Sequence, residues 1–211
     1  MELLILLSIC IVQNIAIFLD NYAVFNLIAN HIPSKTASLY AKKQQVDFIS
    51  RGFLFFTPPL LGFALIKYNL NFLINVLFFT SLISFFITFF QSYNFIKKIK
   101  LSYKFRLSNY FIYIVIFGSV IFSLHLFAPF YLNLIAYFYK EESLWIVQIS
   151  PALTVFSTAF IVYYLDPTIA KFIDTKRGEK NINIIYEMIS VRIVGRGLIV
   201  IMSLFLIKVF L

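Results

Sequence analysis

Three arginine residues carry the clearest potential for chemistry in this 211-residue sequence. Arg192 and Arg196 are four positions apart, so a helix would place both on one face, and Arg51 lies far earlier in the chain. A guanidinium group presents a planar fork of N–H donors that matches the oxygens of a phosphate or pyrophosphate. If the three side chains meet, they form a cationic pocket for such an anion. The alternative is that Arg192 and Arg196 only extend toward lipid headgroups, as long basic side chains near helix ends commonly do.

A polar stripe is predicted on the first apolar segment of the chain. Two pairs of residues are spaced there by seven positions, or two helical turns: Gln13 with Asp20, and Asn14 with Asn21. The four residues are expected on one face of a helix. This face either packs against other helices or lines a polar cavity.

A second polar face is predicted around Arg51. Gln44, Asp47 and Arg51 stand at positions i, i+3 and i+7 of a helix. Asp47 and Arg51 can form an ion pair inside the bundle that only satisfies itself. In the other interpretation Arg51 points into the bundle as an anion ligand and Asp47 holds it in position. Both interpretations stay open at this point.

The apolar segments that carry these residues are long enough to cross a membrane. Hydrophobic residues make up 61% of the sequence, far above the ~45–50% of soluble domains, and the mean hydropathy is +0.90. A helical span needs about 20 apolar residues. Six spans are predicted, at about 3–29, 46–66, 70–90, 111–132, 144–165 and 193–211. The expected fold is an all-α integral membrane protein, a single polytopic domain over 1–211 with neighbouring helices packed antiparallel in one bundle.

Basic residues predict the orientation of this bundle. All but three of the 18 Lys and Arg residues fall in or beside alternate gaps between the spans; the exceptions are Lys67, Lys140 and Lys208. Basic residues near spans are retained on the cytoplasmic side, which predicts the first, third and fifth gaps inside and both termini outside. Contact with anionic phospholipid headgroups explains the net charge of +9. The same distribution argues against nucleic acid as a partner, because nucleic acid binding needs a basic patch in water.

Sequence motifs of common enzyme classes are absent. The chain has no Gly-rich phosphate loop ending in Lys-Ser/Thr, no Gly-x-Ser-x-Gly elbow and no His-Glu-x-x-His pair. His125 lies in the fourth span without a second His or Cys at ligand spacing, and Cys10 is the only cysteine. The sequence therefore predicts no catalytic residue, no metal site and no cofactor.

Three stretches, taken in order, resemble a known family. The stretch from Asn21 to Arg51 contains Ile28-Ala29, Lys35 followed by Ala37, and Ser50-Arg51. Leu165-Asp166-Pro167 is followed by Asp174, and Val191-Arg192-Ile193-Val194-Gly195 opens the last span. This serial arrangement covers both ends of the chain and resembles the Amj family, the alternate lipid II flippases.

The resemblance implies a transporter and not an enzyme. The implied function is movement of an undecaprenyl-pyrophosphate-linked saccharide, lipid II or a related cell-envelope glycan lipid, across the bacterial inner membrane. The implied substrate-binding residues are Arg51, Arg192, Arg196, Lys35 and Asp47. Of these, the three arginines would bind the pyrophosphate. The implied lining of the path for the sugar is Gln13, Asn14, Asp20, Asn21, Gln44 and Asp166.

Two other functions fit the same residues and stay open. A non-transporting membrane subunit, such as an assembly partner or an immunity-type protein, would use the basic rim for orientation and the polar stripes for packing. A small membrane transferase acting on lipid phosphates would need a carboxylate base, for which Asp20 and Asp47 are the candidates. A 211-residue bundle is small for enclosing a cavity alone, so a homo-oligomer stays open as well.

Overall fold

Long helices account for most of the structure, a computed structural model that describes residues 2–29, 36–99, 109–160, 163 and 179–210. The helices of the described residues are α1 Glu2–Ala29, α2 Thr36–Lys67, α3 Leu70–Ile99, α4 Asn109–Phe138, α5 Ser143–Gln148, α6 Ser150–Phe160 and α7 Glu179–Phe210. No strand occurs in this part of the chain. The all-α fold class predicted from the sequence is confirmed.

Five of these helices are long and apolar enough to cross a membrane: α1, α2, α3, α4 and α7. Each has 28 to 32 residues, or roughly 42–48 Å at 1.5 Å per residue, against a hydrocarbon core of about 30 Å. Large apolar side chains are exposed along all five, among them Leu4, Phe55, Phe90, Tyr113 and Phe205. A soluble protein rarely exposes so much contiguous apolar surface. The chain is therefore a membrane-embedded helical protein.

The predicted span 144–165 is the exception, because its described part is broken into α5 and α6. Pro151 lacks the N–H that would bond the carbonyl of Val147. Just before it, the N–H of Ile149 bonds the carbonyl of Ile146 at 3.2 Å, one residue shorter than the α-helical spacing. The chain then resumes as α6, where the N–H of Leu153 bonds the carbonyl of Ile149 at 3.1 Å. The break at this proline divides the described part of the predicted span into two short helices, and the described residues therefore contain five long helices.

A short turn joins α2 to α3 at one end of the bundle. The carbonyl oxygen of the Asn69 side chain accepts the backbone N–H of Phe72 at 3.0 Å, which satisfies one of the free donors at the start of α3. The cap starts α3 within three residues of the end of α2, at Lys67. The two helices therefore run antiparallel, as the short gap predicted.

Contacts between helices give the direction of the remaining elements. Ser81 of α3 contacts Ser203 of α7, and Thr88 of α3 contacts Arg196 of α7. Between the two contacts the sequence advances seven residues along α3 and goes back seven residues along α7. The helices α3 and α7 are thus antiparallel. The same reasoning makes α1 parallel to α3 and α4 parallel to α7.

One end of the bundle is basic as a result. The end where α1 and α3 finish and where α2, α4 and α7 begin carries these described basic residues: Lys42, Lys43, Lys97 and Lys98. The described residues Lys67, Lys140 and Lys208 lie at the opposite end. The uneven distribution of charge along the sequence therefore becomes an uneven distribution between the two ends of the bundle.

The helices α4 and α7 approach each other closely at Gly195. A Cβ atom at this position would lie 2.9 Å from the carbonyl oxygen of Ser119, which is backbone and has little freedom to move. The Ser119 hydroxyl also donates to the carbonyl of Val191 at 3.3 Å. Glycine is required at position 195 because it lets the two backbones touch.

We predict that Gly195→Ala separates α4 from α7 and destabilises the protein by about 1–3 kcal/mol, the usual effect of overpacking. Gly197→Ala is the matched control, since a Cβ atom there would meet the Phe85 ring at 3.6 Å, an ordinary contact. Thermal unfolding of the two purified variants in detergent measures the difference. Equal unfolding temperatures for both variants would contradict the close approach.

Candidate functional site

The two arginines of α7 lie inside the bundle and not at its surface. The Arg192 side chain is 3% exposed and the Arg196 side chain is 0% exposed. Arg196 lies 11 residues beyond Ile185, where the apolar part of α7 begins, which is roughly 16 Å along the helix axis. The sequence left open that Arg192 and Arg196 extend to the lipid headgroups. In the structure they do not, because both side chains are buried. Both guanidinium groups are buried among helices.

A chain of hydrogen bonds connects the two arginines through α1 and α3. The Nε–H of Arg192 donates to the amide oxygen of Asn21 at 3.2 Å. The amide nitrogen of Asn21 donates to the Thr88 hydroxyl at 3.1 Å, and that hydroxyl also accepts the Nε–H of Arg196 at 3.1 Å. Asn21 and Thr88 are fully buried. One amide and one hydroxyl thus hold both arginines at fixed positions.

An aromatic ring of α4 completes the support of the pair. The guanidinium carbons of Arg192 and Arg196 lie 4.7 Å and 4.8 Å from the centroid of the Phe122 ring. The negative face of an aromatic ring attracts a cation, with an energy of about 2 kcal/mol where water is excluded. Phe122 is 1% exposed, so the interaction takes place away from water. The buried arginine site therefore draws on α1, α3, α4 and α7.

One carboxylate lies next to this pair. The Nη2 atom of Arg192 is 3.6 Å from Oδ2 of Asp20, which makes an ion pair but exceeds hydrogen-bonding distance. Oδ2 of Asp20 is buried and has no hydrogen-bond partner in the described structure. Two positive charges face one negative charge, so the site keeps a net positive charge.

Several N–H donors of the site have no acceptor among the described residues. They are Nη1 of Arg192 and both Nη1 and Nη2 of Arg196. A buried donor of a charged group without an acceptor costs about 1–3 kcal/mol or more. Three such atoms side by side are the arrangement that an anion with several oxygens satisfies. The arginine pair is therefore a candidate anion site.

The site lies between two apolar clusters that seal it at both ends. The larger cluster contains Ile5, Ile9 and Ile17 of α1, and the smaller contains Val24, Phe25 and Leu27 of the same helix. Asp20 and Asn21 fall between the two groups along α1. The buried face of α3 is polar over this stretch, with Thr80, Ser81, Ser84, Thr88 and Ser92. The Oγ atoms of Ser84 and Ser92 have no partner in the described structure, so further donors and acceptors lie near the arginines along α3.

Arg51 does not join the buried pair, which corrects the predicted face of α2. The buried polar residues of α2 are Lys43, Ser50 and Thr57. Two of them contact α1: the Ser50 hydroxyl donates to the carbonyl of Ala16 at 2.8 Å, and the Thr57 hydroxyl donates to Gln13 at 2.9 Å. Arg51 is the next residue after Ser50, about 100° further around the helix, and it is exposed together with Gln44. The predicted inward face was therefore displaced by one residue.

Asp47 pairs within its own helix. Its carboxylate accepts a hydrogen bond of 2.8 Å from the Nζ atom of Lys43, four residues earlier on α2. Lys43 is 8% exposed and was not among the residues predicted for the site. The structure thus supplies Asp47 with Lys43 as a cationic partner.

The polar residues of α1 divide into two groups with different surroundings. Gln13 donates to the carbonyl of Leu126 at 2.6 Å and accepts the Thr57 hydroxyl at 2.9 Å, and the Asn14 amide donates to the carbonyl of Cys10 at 2.8 Å. The two bonds of Gln13, which is fully buried, join α1 to α2 and α4, whereas the bond of Asn14 lies within α1. Asp20 and Asn21 instead belong to the arginine site. The predicted polar stripe therefore has two parts: Gln13 and Asn14 serve packing within the bundle, and Asp20 and Asn21 belong to the arginine site.

Two residues predicted for the site, Lys35 and Asp166, lie outside the described residues. The structure adds two residues that the sequence did not assign to the site: Thr88 and Phe122. Thr88 shares one helical face with Ser81 and Ser84, which stand seven and four residues before it. Its seven-residue spacing from Ser81 was the available signal, whereas nothing in the sequence distinguishes Phe122 among 27 phenylalanines.

We predict that Thr88→Val destabilises the protein by about 1–3 kcal/mol. Valine keeps the shape of threonine but removes the oxygen that accepts from Arg196 and Asn21, which leaves a buried charged donor unpaired. The matched control is Thr88→Ser, which keeps the hydroxyl and loses one methyl group, at about 0.8 kcal/mol. Thermal unfolding should rank the serine variant above the valine variant. A valine variant as stable as the serine variant would contradict the proposed role of the hydroxyl.

Comparison with known proteins gives no assignment of this site. No protein-family model, no curated protein and no solved structure matches the chain.

Proposed function

We propose that this protein is a flippase that moves an undecaprenyl-pyrophosphate-linked saccharide, such as lipid II or a related cell-envelope glycan lipid, across the bacterial inner membrane. The observation that carries the proposal is the buried pair Arg192 and Arg196 with three unpaired N–H-bearing atoms. The resemblance of the chain's two ends to the alternate lipid II flippases supplies the candidate substrate. In this proposal the protein acts as a transporter, a function that requires no catalytic residue and no cofactor.

The chemistry of the site suits a pyrophosphate better than a neutral or cationic ligand. The pyrophosphate of such a lipid carries two negative charges in its diester form, and the arginine pair carries two positive charges. Guanidinium groups bind phosphate oxygens with paired N–H donors. The lipid tail would stay between helices, where the exposed apolar side chains of α2 and α7 face the bilayer.

Exposed Arg51 takes a different role in the proposal from the one first predicted. It lies near the middle of α2, on the surface of that helix, from where its long side chain extends toward lipid phosphates before they enter. Arg192 and Arg196 then form the internal site. The saccharide moves past the polar residues of α1, of which Asp20 and Asn21 are the nearest to the arginines.

We further propose six membrane crossings with both termini outside. The helices α4 and α7 are parallel, so the end of α4 at Phe138 and the start of α7 at Glu179 lie at opposite ends of the bundle. The proposed fifth crossing lies between these two points in the sequence, and we place its beginning at α5 and α6. The basic end of the bundle faces the cytoplasm, as the retention of basic residues favours.

A second candidate function is a membrane subunit that transports nothing. The observation in its favour is that the arginines already connect four helices through Asn21, Thr88 and Phe122. Here the pair would hold the bundle together, and no substrate would be needed. The two functions differ in what loss of an arginine does to the folded protein.

We predict that this chain restores growth of a bacterium depleted of its own lipid II flippase, and that Arg192→Gln and Arg196→Gln abolish the rescue. Their loss removes the N–H donors that bind the pyrophosphate while the protein stays inserted at normal abundance. Lys208→Gln is the matched control, because it removes an exposed cation from the same helix far from the site. Immunoblotting of membranes gives abundance, and labelling of the precursor from outside the cell gives translocation.

Two outcomes of this experiment would count against the proposal. Rescue by both arginine variants would show that the pair binds no substrate. Loss of the variant proteins from the membrane would instead favour the non-transporting subunit, in which the arginines stabilise the bundle.

We predict the orientation from cysteine labelling of intact cells in a Cys10→Ala background. An impermeant maleimide should label Glu142→Cys and Phe210→Cys, which lie at the less basic end. It should label Lys97→Cys only after the membrane is permeabilised. The reverse pattern would contradict the proposed orientation.

A further inference from the structure

We propose that Asp20 is the exchangeable counter-ion of the arginine pair: it neutralises Arg192 while the site is empty, and an entering phosphate anion displaces it. This inference rests on the proposed function and names the residue that controls occupancy of the same site. It makes Asp20 a residue that weakens binding, so its removal should strengthen binding. A residue with only a structural role would not have that effect.

The geometry around Asp20 is that of a loose partner. The distance of 3.6 Å between its Oδ2 and Nη2 of Arg192 is longer than the 2.7–2.9 Å typical of a strong ion-paired hydrogen bond. This Oδ2 atom is buried and has no hydrogen-bond partner in the described structure. A carboxylate held by an attraction of charge alone can leave without breaking a hydrogen bond at that atom. Arg192 would keep its position during this exchange, because Asn21 holds its Nε–H.

Burial indicates the side from which the anion enters. The Asp20 side chain is 25% exposed, whereas Arg192 is 3% exposed and Arg196, Asn21 and Thr88 are 0% exposed. Asp20 is thus the most exposed member of the group. In this proposal the anion enters past Asp20 and reaches the unpaired N–H donors when the carboxylate is displaced.

Charge explains why the exchange is needed. With Asp20 in place the two arginines carry one excess positive charge, and a doubly charged pyrophosphate would leave one excess negative charge in a desolvated site. Burial of unbalanced charge is costly in a membrane. When Asp20 withdraws, the two guanidinium charges balance the two charges of the pyrophosphate.

The other charged pair of this region is already balanced. Lys43 and Asp47 of α2 lie near the level of Asp20, since Ser50 contacts Ala16 and the helices are antiparallel, and they pair with each other at 2.8 Å. On α3 and α4 the residues that contact the arginines are Thr88 and Phe122, which carry no charge. Asp20 is therefore the acidic residue of the described structure that pairs with this arginine site.

The test is binding of the farnesyl pyrophosphate diester of N-acetylglucosamine, which carries two negative charges, to the full-length protein in nanodiscs of zwitterionic lipid, measured by isothermal titration calorimetry. Asp20→Asn removes the charge and keeps the size of the side chain, so its dissociation constant should fall at least about tenfold, or about 1.4 kcal/mol. Glu142→Gln is the matched control, because it removes one negative charge at an exposed position outside the site. It should bind like the wild type. Asp20→Ser provides a second neutral variant if the asparagine variant unfolds.

The outcomes separate this inference from the proposed function. Unchanged or weaker binding by the neutral Asp20 variants, with binding lost in Arg192→Gln, would overturn the role of Asp20 and leave the arginine site intact. Absence of binding in the wild type and in all variants would overturn both. Tighter binding by the Asp20 variants alone is the result we expect.

Discussion

The desolvation of two guanidinium groups is the constraint on which the rest of this structure depends. Placing an arginine at the centre of a membrane-spanning helix costs about 2.5–3.5 kcal/mol on scales derived from membrane insertion, which give the lowest estimates of this cost. Arg192 and Arg196 are both buried in α7, so the surrounding helices must offset this cost. They do so with one amide, one hydroxyl, one carboxylate and one aromatic ring, taken from three different helices. The requirement fixes how these helices are placed around α7.

The placement follows from small residues and from seven-residue spacing. Gly195 lies between the two arginines in the sequence and brings α7 against the backbone of Ser119, which places Phe122 one turn further along α4. On α3, the side chains that face α7 at Ser81 and Thr88 are small. Helix α7 therefore approaches closely enough for Arg196 to donate a hydrogen bond to Thr88. These contacts satisfy the Nε–H groups and leave the terminal donors unpaired. A bundle that needed the arginines only for packing would gain stability from pairing those donors as well.

Much of the fold followed from the sequence, because length and hydropathy determine which segments can cross a membrane. The spans at 3–29, 70–90 and 111–132 lie within α1, α3 and α4. The break at Pro151 was not predicted, since a proline within a long apolar segment is tolerated in some membrane helices and breaks others. At the site, Arg192, Arg196, Asp20 and Asn21 were named from spacing alone. Arg51 was misplaced because adjacent residues differ by about 100°, and only the contact of Ser50 with α1 decides which one faces inward.

The central claim is that the buried arginine pair binds a pyrophosphate lipid, and native mass spectrometry tests it most directly. The protein would be purified from bacterial membranes in mild detergent and its bound lipids identified by mass. The account predicts a polyprenyl-pyrophosphate lipid on the wild-type protein and its absence from a folded Arg192→Gln/Arg196→Gln variant. Equal lipid occupancy on both proteins, or no pyrophosphate lipid on the wild type, would contradict the claim.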